Sequence, residues 1–234
     1  MPLIGSIVFN TFFYISLIPI TLIIVSLYFF ISTKNLQYIG SLWIKIVLKA
    51  LRIFCRVRWR VEGIENIPKG PCIVVSNHQG QWESLFLQTL FIPSTTIIKK
   101  ELLYIPLFGW ALKCMKPITL NRLNKISSLK KVIKKGVLKL ENGFSIILFP
   151  EGTRNSPEKG IQPFASSCGL LSVRSGLPLL PICHNSGKYW KNKKFIKSSG
   201  EVILKIGNPI SGNDPKIITE QAFNWTKETY QQMG

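Results

Sequence analysis

The sequence predicts an α/β protein, a largely parallel sheet flanked by helices, carrying an N-terminal membrane-associated helical segment. Three observations make that prediction. From Val57 onward, short apolar runs alternate with longer mixed ones, the pattern of strands joined by crossover helices. From Met1 to Thr33 no side chain is charged. Polar turns holding His, Glu, Gly and Arg follow two of the apolar runs, where sheets of this kind commonly keep their chemistry.

The uncharged start comes first. Ile7 to Ile31 is mostly Ile, Leu, Val and Phe, long enough to cross a hydrocarbon core that needs ~20 residues. Aromatic residues sit near both ends, at Phe12-Phe13-Tyr14 and Tyr28-Phe29-Phe30, as in an interfacial belt. A signal peptide would show a basic start, a shorter apolar core and a small-residue cleavage site, so a retained membrane segment is expected. Pro19 near the middle leaves a kinked spanning helix and a re-entrant segment both open. From Leu36 to Arg60, apolar residues including Leu42, Trp43, Ile46, Val47 and Leu51 mix with six cations and no acid. That composition suits a helix lying at a membrane surface with its cations near lipid phosphates. Residues 1–60 are therefore read as a membrane segment plus basic amphipathic helix, and 61–234 as the α/β domain. The cations after Lys34 place that domain on the cytoplasmic side.

Within the domain, Cys72 to Ser76, Thr95 to Ile98, Ile118 to Leu120, Phe144 to Phe149, Leu179 to Cys183 and Val202 to Ile206 read as strands. Ser127 to Leu140 reads as a helix with Leu129, Ile133, Val137 and Leu140 on its inner face, and Thr219 to Gln231 as a terminal helix. The formal net charge is +19, from 30 Lys+Arg against 11 Asp+Glu, and it calls for an anionic partner. Nucleic acid is not expected, because the chain shows no nucleic-acid-binding motif and much of its basicity adjoins the membrane segment. The five cysteines are odd in number and widely spaced, which points to reduced thiols. Two isolated histidines offer no metal-ligand cluster, so no metal is expected.

Three stretches carry chemistry. Asn77-His78-Gln79-Gly80-Gln81-Trp82-Glu83 places a histidine and a carboxylate five positions apart. On a helix turning about 100° per residue they would lie roughly 140° out of line, so they meet only if the chain turns, which Gly80 eases. An imidazole held by a carboxylate is a general base. Phe149-Pro150-Glu151-Gly152-Thr153-Arg154 is a polar turn with an anion-binding arginine. Lys99 ends one apolar run and Arg122 follows another, and an arginine can clamp a phosphate bidentately.

Together these stretches resemble the glycerolipid acyltransferase family that acylates glycerol phosphates, most closely its 1-acyl-glycerol-3-phosphate acyltransferases. The family's Asn-His-x4-Asp is matched by Asn77-His78 with Glu83. Its second motif is matched by Lys99-Lys100-Glu101-Leu102, Ile105-Pro106-Leu107-Phe108-Gly109 and Arg122. Its Phe-Pro-Glu-Gly-Thr-Arg is matched in full at Phe149 to Arg154. Its Pro-rich strand is matched by Leu177 to Ile182. The resemblance covers roughly Val57 to Ile210. Two departures stand out: Glu83 replaces the usual Asp, and Pro163-Phe164 is followed by Ala165-Ser166 where the family often has a lysine.

The resemblance implies an enzyme moving an acyl group from a thioester to the sn-2 hydroxyl of lysophosphatidic acid, giving phosphatidic acid for phospholipid biosynthesis. It implies His78 as base and Glu83 as its holder. Arg122, Arg154 and Lys99 would bind the phosphate, and Asn77, Glu151, Gly152, Thr153 and Pro181 would shape the pocket. The co-substrate would be acyl carrier protein or a coenzyme A thioester, with no other cofactor, and the other partners membrane lipids. Glu151 has two readings, a structural one that orients the arginine and a direct one at the anion site. His184 reads as structural. Acceptors such as another lysophospholipid or a lyso-ornithine lipid are the nearest rivals. A non-catalytic membrane-anchored protein that binds anionic lipid is a more distant one.

Overall fold

The computed structural model describes residues 2–120 and 125–233. The chain begins with two long helices, α1 (Pro2–Leu27) and α2 (Thr33–Cys55). The seven strands are β1 (Val57–Glu62), β2 (Ile73–Ser76), β3 (Ser94–Lys99), β4 (Ile118–Leu120), β5 (Ser145–Leu148), β6 (Leu179–His184) and β7 (Gly200–Ile206). Between and after them run α3 (Trp82–Leu90), α4 (Phe108–Cys114), α5 (Lys125–Glu141), α6 (Ser167–Ser175) and α7 (Pro215–Gln231). The strands form one sheet in the order β1-β7-β6-β2-β5-β3-β4. Every pairing is parallel except β6 with β7.

Burial explains why the central strands are so legible. All residues of β2, β5 and β6 are buried, as expected where helices cover both faces of a parallel sheet. Alternate residues feed two cores. Val74, Ile147, Leu180 and Leu204 pack with α2 and α3 through Val47, Leu51, Trp82 and Leu87. Ile73, Val75, Ile146 and Leu179 pack on the other face with α5, α6 and α7, through Val132, Leu171 and Ile218. Each fully buried Leu or Ile contributes about 2 kcal/mol, so these two layers carry most of the domain's stability.

Two expectations change. The basic helix ends at Cys55, because Arg56 takes a left-handed φ of 54°. Val57 to Arg60 join the sheet as part of β1, pairing with β7. Val57, Trp59 and Val61 alternate there with Arg58 and Arg60, a period of two that a helical reading overlooks. The inner face of α5 is carried by Val132, Gly136 and Leu140, whereas Leu129 is exposed. Gly136 sets that face: a Cβ there would lie 2.5 Å from a Leu171 methyl. Pro19 leaves α1 one continuous helix.

α1 is long and apolar enough to cross a membrane. One side of it, Ser6, Phe9, Asn10, Ile20, Thr21 and Ile24, is buried against the rest of the chain. Its near end meets Trp190 through Phe9, at 5.2 Å between ring centroids, and its far end joins Leu36 and Cys114. Ile4, Ile7, Ile15, Ile18, Leu22 and Ile23 face outward and are exposed.

Candidate active site

β6, β2 and β5 lie side by side and parallel, so the segments that leave their C-terminal ends meet at one edge of the sheet. After β2 the chain turns through Asn77 to Gln81 before α3 starts at Trp82. Asn77 is fully buried and ties this turn to β6. Its amide donates to the His184 carbonyl at 2.9 Å, and its Oδ1 accepts from the His184 N–H at 3.0 Å.

His78 follows, held at several points. Its backbone N–H donates to Glu151 Oε1 at 2.8 Å, and its carbonyl accepts from the Asn155 N–H at 2.8 Å. Its ring stacks on Phe149, with centroids 4.0 Å apart and planes 13° from parallel. Its Nδ1 lies 2.9 Å from Glu83 Oε1. Among the described residues no protein group bonds its Nε2, and the side chain is 14 % exposed.

Glu83 stands in the first turn of α3, where the helix dipole favours a carboxylate, and its side chain is fully buried. Oε1 accepts from the backbone N–H of Gln79 at 2.8 Å and of Gly80 at 2.7 Å, and Oε2 accepts from Ser186 Oγ at 2.8 Å. Burial pushes its pKa up, but the hydrogen bonds from His78 and from the Gly80 N–H outweigh it and hold it well below the carboxylate range. An ionised carboxylate only accepts, so the bridging proton sits on His78 Nδ1, and Nε2 carries the free lone pair. Gly80 is needed for a reason other than turn freedom. Its φ is not among the positive values, and a Cβ there would meet the Trp190 carbonyl at 2.6 Å.

The segment after β5 supports the turn from the other side. Glu151 does not orient Arg154: its Oε2 accepts from Asn155 Nδ2 at 2.8 Å and the Gln162 N–H at 3.0 Å, and its Oε1 holds the His78 backbone. Burial raises its pKa, against the opposing pull of these N–H donors. Gly152 has φ +71°, in the left-handed region that favours glycine. Thr153 and Arg154 are exposed, and among the described residues no ion pair or side-chain hydrogen bond engages Arg154.

Lys99 ends β3 and is exposed at the same sheet edge. Arg122 lies outside the described residues. Pro181 is buried inside β6 with its ring close to Gly207, and no hydrogen bond of the His78 cluster reaches it. Burial lowers the His184 pKa, against the pull of Glu83, and the ring is neutral. Its Nε2 donates to the Asn77 carbonyl at 2.9 Å and its Nδ1 accepts from the Ser186 N–H at 3.3 Å, so it braces the turn. Sequence reasoning missed Ser186, Asn155 and Trp190. Ser186 and Trp190 follow β6, the third strand of the cluster, and that position was the available signal.

A three-layer α/β fold with a histidine–carboxylate pair at the strand ends is an arrangement able to take a proton from a hydroxyl. The chain belongs to the acyltransferase family, whose match runs over residues 58–185. It is similar to the 1-acyl-sn-glycerol-3-phosphate acyltransferase of Pseudomonas aeruginosa, 37% identical over 198 residues, covering 82% of this chain and 77% of that protein. The chloroplastic 1-acyl-sn-glycerol-3-phosphate acyltransferase BAT2 of Brassica napus is 29% identical over 197 residues, covering 82% of this chain and 55% of that protein. The crystal structure of the 1-acyl-sn-glycerophosphate acyltransferase PlsC from Thermotoga maritima has the same fold. Its TM-score is 0.81 at 22% identity, over 98% of this chain and 94% of that one.

Proposed function

We infer that this chain is a 1-acylglycerol-3-phosphate O-acyltransferase: it acylates lysophosphatidic acid and releases phosphatidic acid. The observation that carries the reading is the His78–Glu83 pair, 2.9 Å apart with Nε2 unpartnered among the described residues, in a chain 37% identical to a 1-acyl-sn-glycerol-3-phosphate acyltransferase.

The chemistry follows from the geometry. His78 Nε2 removes the proton of the sn-2 hydroxyl, and that oxygen attacks the thioester carbonyl. The tetrahedral adduct collapses, the C–S bond breaks, and the leaving thiolate takes the proton from the imidazolium. Glu83 stabilises that cation, and its own bonds to the Gln79 and Gly80 N–H groups and to Ser186 fix it in place beforehand. No acyl-enzyme is needed. The cysteines are buried, and burial raises the Cys72 thiol to about 11, against the hydrogen bond from Ser145, so it is a poor nucleophile.

Arg154, Lys99 and Arg122 bind the acceptor's phosphate, with Thr153 and Gly152 shaping the approach. Asn77 and Glu151 act on the backbone of the turn, holding His78 where the hydroxyl arrives. The donor is acyl carrier protein or acyl coenzyme A, both anionic and both attracted by a +19 chain. The α1 face left exposed lies in the acyl region of one leaflet. Its other side, packed against the rest of the chain at Ser6, Phe9, Asn10, Ile20, Thr21 and Ile24, favours that placement over a spanning one. The basic residues of α2 support a domain that faces the cytoplasm, where the leaflet surface is anionic.

Purified protein, labelled lysophosphatidate and each donor in turn test the reading, with His78→Ala beside the wild type. Phosphatidate from the wild type alone is expected. No phosphatidate from the wild type with either donor would overturn it.

A further inference from the structure

Away from the His78 cluster, the C-terminal end of α2, the start of β1 and the start of β7 form an open cavity of about 440 Å³ lined by Arg52, Arg56, Arg58, Ser199 and Gly200. We propose that this cavity is a second phosphate site, holding the headgroup of an anionic membrane lipid beside the catalytic one. The proposal rests on the membrane association inferred above.

Among the described residues, no ion pair neutralises its arginines. Arg60, next along β1, pairs with Glu62 at 3.2 Å, and Glu62 is also approached by Lys205 at 3.5 Å. Glu201 stands opposite Arg58 in the β1–β7 register, yet among the described residues neither it nor any other acid pairs with Arg52, Arg56 or Arg58. The negative end of the α2 dipole accounts for one cation at that helix end. Three guanidiniums on one cavity exceed that need, and they offer the forked donors that suit phosphate oxygens.

The backbone there is also specialised. Arg56 holds a φ of 54°, costly for a residue with a Cβ, and its carbonyl is fixed by the Gly200 N–H at 3.2 Å. That conformation ends α2 and starts β1 within one residue, bringing Arg52 and Arg58 onto one cavity.

The surroundings identify the ligand as lipid. Ile53 and Phe54 are 60% and 40% exposed beside the arginines, and Phe195 and Ile196 are exposed just before Ser199. The start of α1 is packed here too: a Cβ on Gly5 would meet the Phe54 carbonyl oxygen, and Leu3 and Ile4 are exposed. Arginines ringed by outward apolar side chains fit a headgroup with acyl chains below it. β7 runs against β6, so the starts of β1 and β7 lie at the same sheet edge as the His78 turn. One bilayer surface can therefore meet both sites.

Flotation of the full chain with phosphatidylcholine vesicles, with and without phosphatidate, tests the proposal. Arg52→Gln/Arg58→Gln is compared with Lys45→Gln/Lys49→Gln, an equal loss of charge from exposed positions of α2 outside the cavity. The arginine pair should weaken binding to phosphatidate vesicles about tenfold more than the lysine pair, with no such difference on phosphatidylcholine alone. Equal losses from the two pairs would overturn the site and leave membrane association standing. No vesicle binding by the wild type would overturn both. Inorganic phosphate that protects wild type against melting as well as vesicles do would overturn the lipid assignment. Matching melting temperatures for wild type and both variants confirm that folding is not what is being read.

Discussion

Two segments meet at His78, and each brings a glutamate to it by a different handle. Glu83, from the first turn of α3, takes the imidazole Nδ1, whereas Glu151, from the segment after β5, takes the backbone N–H. Glu83 is fully buried, with all its acceptors used inside one turn and by Ser186. Glu151 spreads its bonds over His78, Asn155 and Gln162 and leaves the next residues, Thr153 and Arg154, exposed. The difference separates two jobs. The first carboxylate holds the imidazole ring, and the second fixes the backbone that carries it while leaving Thr153 and Arg154 open to solvent.

Substitutions should divide along that line. His78→Ala removes the base and should lower kcat about 10³-fold, measured by phosphatidate formation. Gly80→Ala forces a Cβ onto the Trp190 carbonyl, displacing the N–H that holds Glu83. A loss of about 1–3 kcal/mol, read by denaturant melts, should come with a clear drop in kcat. Glu151→Gln keeps one acceptor for the His78 N–H but turns an NH₂ toward other donors. It should cost about tenfold in kcat with the lysophosphatidate KM little changed, since the geometry of His78 is what suffers. A rise in KM alone would move Glu151 to the phosphate-binding side of the comparison. Arg154→Ala should do the opposite, raising KM for lysophosphatidate several-fold with an unchanged melting temperature, because the side chain is exposed and among the described residues no ion pair or side-chain hydrogen bond engages it.

Much of this division was legible beforehand, for reasons that can be stated. β2, β5 and β6 are buried on both faces, so their sequences are uninterrupted apolar runs with polar turns at the end. The His78–Glu83 spacing demanded a turn, and the turn is there. β1 was not legible as a strand, because its alternating arginines continue the composition of α2 and only the left-handed Arg56 separates them. The α5 face shifted because Gly136, invisible to hydrophobic periodicity, leaves the room that Leu171 fills, where any Cβ would lie 2.5 Å from its methyl. Glu151 beside an arginine reads naturally as an ion pair, and only the fold shows that it reaches back to His78. Ser186 and Trp190 act across more than 100 residues of sequence, on Glu83 and against Gly80, and no local pattern encodes such contacts.

The most direct test compares kcat for phosphatidate formation in Glu83→Asp and Glu83→Gln, at saturating donor and acceptor and with melting temperatures measured alongside. The carboxylate pair predicts that Asp keeps more than about a tenth of wild-type activity, whereas Gln, matched in size but unable to stabilise the imidazolium, falls about a hundredfold. A fully active Glu83→Gln would contradict a mechanism in which Glu83 and His78 work as a pair.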